Sequence, residues 1–180
     1  MSMKYTGKYI TFDVPESWAD TVDFREEENS IAASYRGLPL VVFAFPENPE
    51  SIPAAQGFEA LGTLTDGTST RTLMAEFPEV SNIMGDPLIE QTYYSLSLDL
   101  HELFRSISGS APWTCSLFAG DPTSTGFYVT DLCLGCPACY EVCPQKCIDL
   151  SDVPVQIDQV HCLRCGLCKE ACPLGAIEQR

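Results

Sequence analysis

Leu132-Cys-Leu-Gly-Cys-Pro-Ala-Cys-Tyr-Glu-Val-Cys-Pro-Gln-Lys-Cys-Ile148 returns 29 residues later as His161-Cys-Leu-Arg-Cys-Gly-Leu-Cys-Lys-Glu-Ala-Cys-Pro-Leu-Gly-Ala-Ile177. The two runs share four spaced cysteines, the leucine after the first of them, one glutamate, the proline and the closing isoleucine. Self-similarity of this kind marks a duplicated supersecondary unit. The C-terminal stretch is therefore expected to be a small module of two pseudo-symmetric halves. Nine of the ten cysteines lie in this stretch, and only Cys115 precedes it. Met1-Ser-Met-Lys-Tyr-Thr-Gly-Lys8 has no apolar leader and no cleavage pattern, so the expected location is the cytoplasm. In that reducing compartment so dense a set of thiols reads as metal binding rather than as disulfides.

Each run has the form Cys-x2-Cys-x2-Cys-x3-Cys-Pro. Three thiolates at intervals of three can wrap one corner of a cubane, while the fourth begins a helical turn that points elsewhere. Zinc knuckles also use Cys-x2-Cys pairs, but zinc gives no reason for a third cysteine in each run or for the proline after the fourth. The pattern resembles the bacterial two-cluster ferredoxin family across residues 127–180, with all eight ligand positions present. In that family the fourth cysteine of each run ligates the cluster of the other half. The resemblance implies Cys133, Cys136, Cys139 and Cys172 for one 4Fe-4S cluster, and Cys162, Cys165, Cys168 and Cys143 for the second. It also implies two short helices after the ligand loops and two hairpins. Ile148-Asp-Leu150 is expected to pair with Val155-Gln-Ile157, and Tyr128-Val-Thr130 with Ile177-Glu-Gln179.

The repeat is not symmetric in detail. Pro137 stands where the second run has Gly166, and it removes a backbone N–H that could bond a cluster sulfur. Tyr140 stands against Lys169. Cys147 stands against Ala176, which asks for a small, buried side chain, as a free cysteine supplies. His161, beside a ligand cysteine, reads as an exposed histidine. The two clusters are therefore expected to be inequivalent.

The chain carries 25 acidic and 10 basic side chains, a formal net charge of −15. Binding to nucleic acid needs clustered Lys and Arg, so neither nucleic acid nor an anionic membrane surface is an expected partner. The longest apolar stretch, Leu38 to Phe45, is too short to span a bilayer and contains Pro39. Residues before 131 account for −12 of the charge and those from 131 on for −3. A 4Fe-4S core with four thiolates carries a net double negative charge, so two would take the module to about −7. The expected partner is a redox protein with a basic docking surface.

The N-terminal part reads as a mixture of α and β, and the chain as an α+β protein: an antiparallel sheet with a long packing helix, followed by the small module. The boundary is set near residue 125, giving domains 1–125 and 126–180. Tyr9–Phe12 alternates, Val22–Phe24 and Ile31–Tyr35 read as strands joined across the polar Arg25–Ser30, and Leu40–Phe45 reads as a strand buried on both faces. Glu26 to Glu28 is taken as a solvated turn. Thr63 to Thr72, with Asp66-Gly67, is a loop or hairpin turn. A single helix is expected from Asp86-Pro87 to Gly109, with Ile89, Tyr93, Leu96, Leu100, Leu103 and Ile107 on one face. A homodimer through the Leu88–Ile107 stretch stays open. Trp18 and Trp113 read as core or interface anchors, Cys115 as a buried thiol, and His101 with Asp99 and Glu102 as a solvated helix surface.

No nucleotide, hydrolase or protease motif is readable in this part. Thr68-Ser-Thr-Arg-Thr72 reads as a polar turn, although its hydroxyls and Arg71 are also a set that holds a phosphate such as that of FMN. Tyr9-Ile-Thr-Phe-Asp-Val-Pro-Glu-Ser-Trp18, with the strands and helix to Ile107, resembles the PsbP-like α/β family, which implies a binding or assembly module. The wording from Tyr128 through Cys-Pro-Gln-Lys-Cys147 to Arg180 is similar to ferredoxin modules appended to FMN-binding split-barrel proteins, but the strand and arginine pattern of that barrel is absent. The expected function is low-potential one-electron transfer, as a carrier or electron-entry subunit with an N-terminal docking domain. An FMN-dependent oxidoreductase fed by the clusters is the alternative, and no motif supports its flavin.

Overall fold

A computed structural model of the chain describes residues 3–51, 57–78, 86–118 and 126–180. The chain divides into two compact units, Met1–Leu117 and Phe118–Arg180. The boundary expected near residue 125 falls outside the described residues. The chain is mostly sheet with a few helices, an α+β protein, and all its described strand pairs are antiparallel.

In the first unit, β1 (Met3–Thr6), β2 (Ile10–Val14) and β8 (Ser108–Gly109) form a three-stranded sheet in that order. A six-stranded sheet runs β3 (Asp23–Glu27), β4 (Ser30–Tyr35), β5 (Leu38–Ala44), β7 (Thr70–Glu76), β6 (Glu59–Thr65) and β9 (Thr114–Leu117). Alternation along β4, with Ile31, Ala33 and Tyr35 buried, puts one of its faces on the core. Phe12 is the hub of that core, stacked on Tyr5 at 5.0 Å and within 5.9 Å of both Phe24 and Phe43.

Arg25, Glu26 and Glu27 are not the expected turn. They continue β3, which pairs with β4 to the register Glu27↔Ser30. β3 is an edge strand, so its charged side chains stay in water, where they also discourage pairing with another chain. The polar run 63–72 is likewise mostly strand, and the chain reverses only across Asp66–Ser69. There the Asp66 carboxylate accepts from the N–H groups of Thr68 and Ser69, at 2.9 and 2.7 Å.

The single long helix is in fact two, α1 (Pro87–Leu98) and α2 (Leu100–Ser106), and Gly109 belongs to β8. The start is as expected: Asp86 caps the Leu88 N–H and Pro87 follows. The break at Asp99 has a tertiary cause. The Leu96 carbonyl accepts the Trp18 indole N–H at 2.9 Å, and the Asp99 N–H turns back to it as well. The Asp99 carboxylate also takes the Ser17 hydroxyl. Tyr93, Leu96, Leu100 and Leu103 of the expected stripe are buried, joined by Phe104. Trp18, fully buried, is thus the core anchor its sequence context implies. Trp18→Phe is expected to cost about 1–3 kcal/mol by removing this buried hydrogen bond, seen as an earlier first-unit transition in chemical denaturation.

In the second unit, β10 (Phe127–Val129) pairs with β13 (Ile177–Gln179), and β11 (Ile148–Asp149) with β12 (Gln156–Ile157). The helices are α3 (Ala138–Glu141) and α4 (Leu167–Ala171). Both hairpins and both helices lie where the ferredoxin resemblance puts them. Among the described residues no helix is long and apolar enough to cross a membrane.

Candidate metal centre

Two left-handed residues at equivalent repeat positions shape the loops around the cysteines: Gly135 (φ +74) and Arg164 (φ +56). That conformation turns their N–H groups onto the sulfurs of Cys133 and Cys162, at 3.4 and 3.3 Å. At Gly135 a Cβ would stand 2.6 Å from Val153 Cγ2, so a side chain there would have to push Val153 aside, whereas the equivalent position carries Arg164 in the same left-handed conformation. Cys139 and Cys168 follow on α3 and α4, and both are buried. The Ala176 N–H donates to Cys172 Sγ at 3.3 Å.

The tertiary fold gathers these sulfurs around two cavities. One is lined by Cys133, Cys136, Cys139 and Cys172, with Leu134, Leu174 and Ile177 in the wall. The other is lined by Cys143, Cys162, Cys165 and Cys168, together with Cys147 and apolar side chains such as Phe127, Ile148 and Ile157. Each cavity therefore combines three cysteines of one run with the fourth of the other. Soft sulfur donors around a small apolar volume fit an iron–sulfur cluster.

Burial and mutual repulsion govern these thiols. Burial pushes Cys139 up to about 11 and Cys168 up to about 12, the latter helped by neighbouring cysteines. Cys143 is lowered to about 7 and Cys162 to about 6, in each case chiefly by a hydrogen bond from Cys147. The charges of Lys146 and Arg164 act in the same direction on Cys143 and Cys162 respectively. Cys147, whose proton these two neighbours share, is raised far above an ordinary thiol.

Cys147 is thus more than a small hydrophobe. Its sulfur lies 3.6 Å from Cys143 Sγ, inside the cavity wall. The signal was present in the run itself, as a fifth cysteine where the second repeat has alanine. Lys146 had no such signal. It is 5% exposed, donates to the Tyr140 and Glu141 carbonyls at 3.0 and 2.9 Å, and sits 4.8 Å from the Tyr140 ring centroid. His161 is not simply exposed, since its Nδ1 lies 2.8 Å from the Asp158 carboxylate.

In the first unit, Arg71 is engaged by the protein. Its guanidinium donates to Asn29 Oδ1, the Phe45 carbonyl and Glu47, and lies 5.0 Å from the Tyr9 ring centroid. Cys115 is half-buried on β9, its thiol pushed up to about 11 by desolvation.

Residues 132–176 match the family model described as a 4Fe-4S dicluster domain. No curated protein and no solved structure matches the chain. The segment is an iron–sulfur domain of the ferredoxin-like kind.

Proposed function

From that iron–sulfur domain, we propose that the chain carries two 4Fe-4S clusters and passes single electrons at low potential, as a carrier or as the electron-entry subunit of a larger reductase. The observation that carries the reading is the composition of the two cavities. Cys133, Cys136, Cys139 and Cys172 would hold one cluster; Cys162, Cys165, Cys168 and Cys143 would hold the other. A 4Fe-4S cluster supplies a one-electron couple whose potential follows its charge, hydrogen bonds and exposure.

The protein supplies what surrounds that couple. The Gly135, Arg164 and Ala176 amides are aimed at ligand sulfurs, and apolar side chains keep the remaining walls dry. The acidic module draws a redox partner with a basic docking surface. The N-terminal unit, in the manner of the PsbP-like domains it resembles, serves as the docking domain. No flavin motif accompanies Arg71, whose terminal guanidinium nitrogens donate to Asn29, Phe45 and Glu47.

Protein purified without oxygen is expected to hold iron and sulfide in equal amounts, about eight of each per chain. Dithionite should give the EPR signals of reduced clusters, reversibly. Stoichiometric zinc in a colourless, EPR-silent protein would overturn the proposal.

A further inference from the structure

Four differences between the two repeats, read at equivalent positions, fall at or beside one set of cysteines: Cys147 and Gly166 line its cavity, while Lys146 lies between Cys143 and Cys147 in the chain and Arg164 between Cys162 and Cys165. Lys146 stands against Gly175; both are left-handed, at φ +46 and +61, but only one brings a charge. Arg164 stands against Gly135. Its N–H reaches Cys162 Sγ, while its guanidinium, half-buried, donates to the Gln159 carbonyl at 3.4 Å. Cys147, whose sulfur is 3.6 Å from Cys143, stands against Ala176, which has no donor side chain. Gly166 stands against Pro137. The glycine lines the Cys162 cavity and keeps its N–H, whereas the proline has none.

Each difference adds positive charge or a donor on the same side. Asp158, paired with His161 at 2.8 Å, is a counter-charge there. Around the Cys133 cavity the equivalent positions are Gly175, Gly135, Ala176 and Pro137, none of which carries a charged side chain or a side-chain donor.

Reduction adds one negative charge to a cluster, so nearby cations and donors to its sulfurs stabilise the reduced form. A buried ammonium is poorly screened by water and ions, which enlarges its effect. Resting on the two-cluster reading above, we propose that Lys146, Arg164 and Cys147 hold the Cys143–Cys162–Cys165–Cys168 cluster at the higher potential, so that the first electron entering the module settles there. The Cys133–Cys136–Cys139–Cys172 cluster is then the donor within the pair. Lys146, Arg164 and Cys147 are positioning residues, acting on the cluster through its ligands and its field.

The test uses the full chain, purified anaerobically and reduced stepwise, with the contact-shifted β-proton resonances of the ligand cysteines followed by NMR. In the wild type the first electron is expected on the Cys143 set by at least tenfold, which for one electron is about 59 mV. Lys146→Met should reduce that ratio severalfold, and Lys146→Arg should retain it. Cys147→Ala, a smaller change that keeps the packing of the Ala176 counterpart, should reduce it as well, so the test survives if the methionine variant fails to fold. First-electron occupancy of the Cys133 set in the wild type, or a ratio unmoved by both Lys146→Met and Cys147→Ala, overturns the inference. Resonances from only one cluster would instead sink the two-cluster reading on which it rests.

Discussion

Alanine at Cys172 is expected to cost the protein about half of its iron, and alanine at Cys133 should cost the same half. The reason is the crossing of the fourth cysteine: Cys172 lines the cavity of Cys133, Cys136 and Cys139, and Cys143 lines that of Cys162, Cys165 and Cys168. The double variants decide the matter, because residues that act on one unit are non-additive and residues on separate units are additive. Cys133→Ala with Cys172→Ala should retain about half the iron, whereas Cys162→Ala with Cys172→Ala should retain almost none. If each run held its own cluster, the second double would keep half and the first would keep none. Iron and acid-labile sulfide per chain, with EPR of the reduced protein, give the result. Cys147→Ala, by contrast, should leave the iron content unchanged, since the cavity that Cys147 lines has four other cysteines.

Removal of iron by anaerobic chelation is expected to unfold the second unit while the first keeps its structure. The second unit is built of helices of four and five residues and strands of two or three, lengths that are marginal in isolation. Many of its buried positions are the cysteines themselves: Cys139, Cys143, Cys147, Cys162 and Cys168, beside Phe127, Ile148, Val155 and Ile177. Binding energy at such a centre is folding energy, because the metal-free chain has little else to hold its loops. The first unit has its own core around Phe12, Trp18, Phe43 and Leu103, all nearly or fully buried. Two-dimensional amide NMR should show the resonances of residues 126–180 collapsing to the centre of the spectrum, with those of β4, β5 and β7 in place. A chelated protein that keeps dispersed signals for β10 and β13 would show that the second unit folds without metal.

How much was legible depended on how local the determinant was. The α1 start at Asp86-Pro87 follows from two adjacent residues, whereas the strand pairs of the second unit, one of which joins Phe127–Val129 to Ile177–Gln179, were legible through the family resemblance. The break at Asp99 was hidden because its cause, the Trp18 indole on the Leu96 carbonyl, lies 78 residues away along the chain. The polar Arg25–Glu27 was read as a turn because charge argues against a buried strand, and an edge strand is not buried. Cys147 was read for size, which the repeat shows, and its neighbours Cys143 and Cys162 were not, since the contact with Cys162 spans both runs.

By itself the amino-acid sequence determined the chemistry: sulfur ligands in a duplicated spacing, an acidic surface, and an α+β chain with its cysteines confined to one end. Spacing is a covalent property, so it survives any fold. Only the tertiary structure decided where the long helix breaks, at the Leu96 carbonyl that the Trp18 indole takes, and that Cys147 meets Cys162 as well as Cys143. Both are matters of proximity between segments distant in the chain, and packing, not spacing, sets that distance.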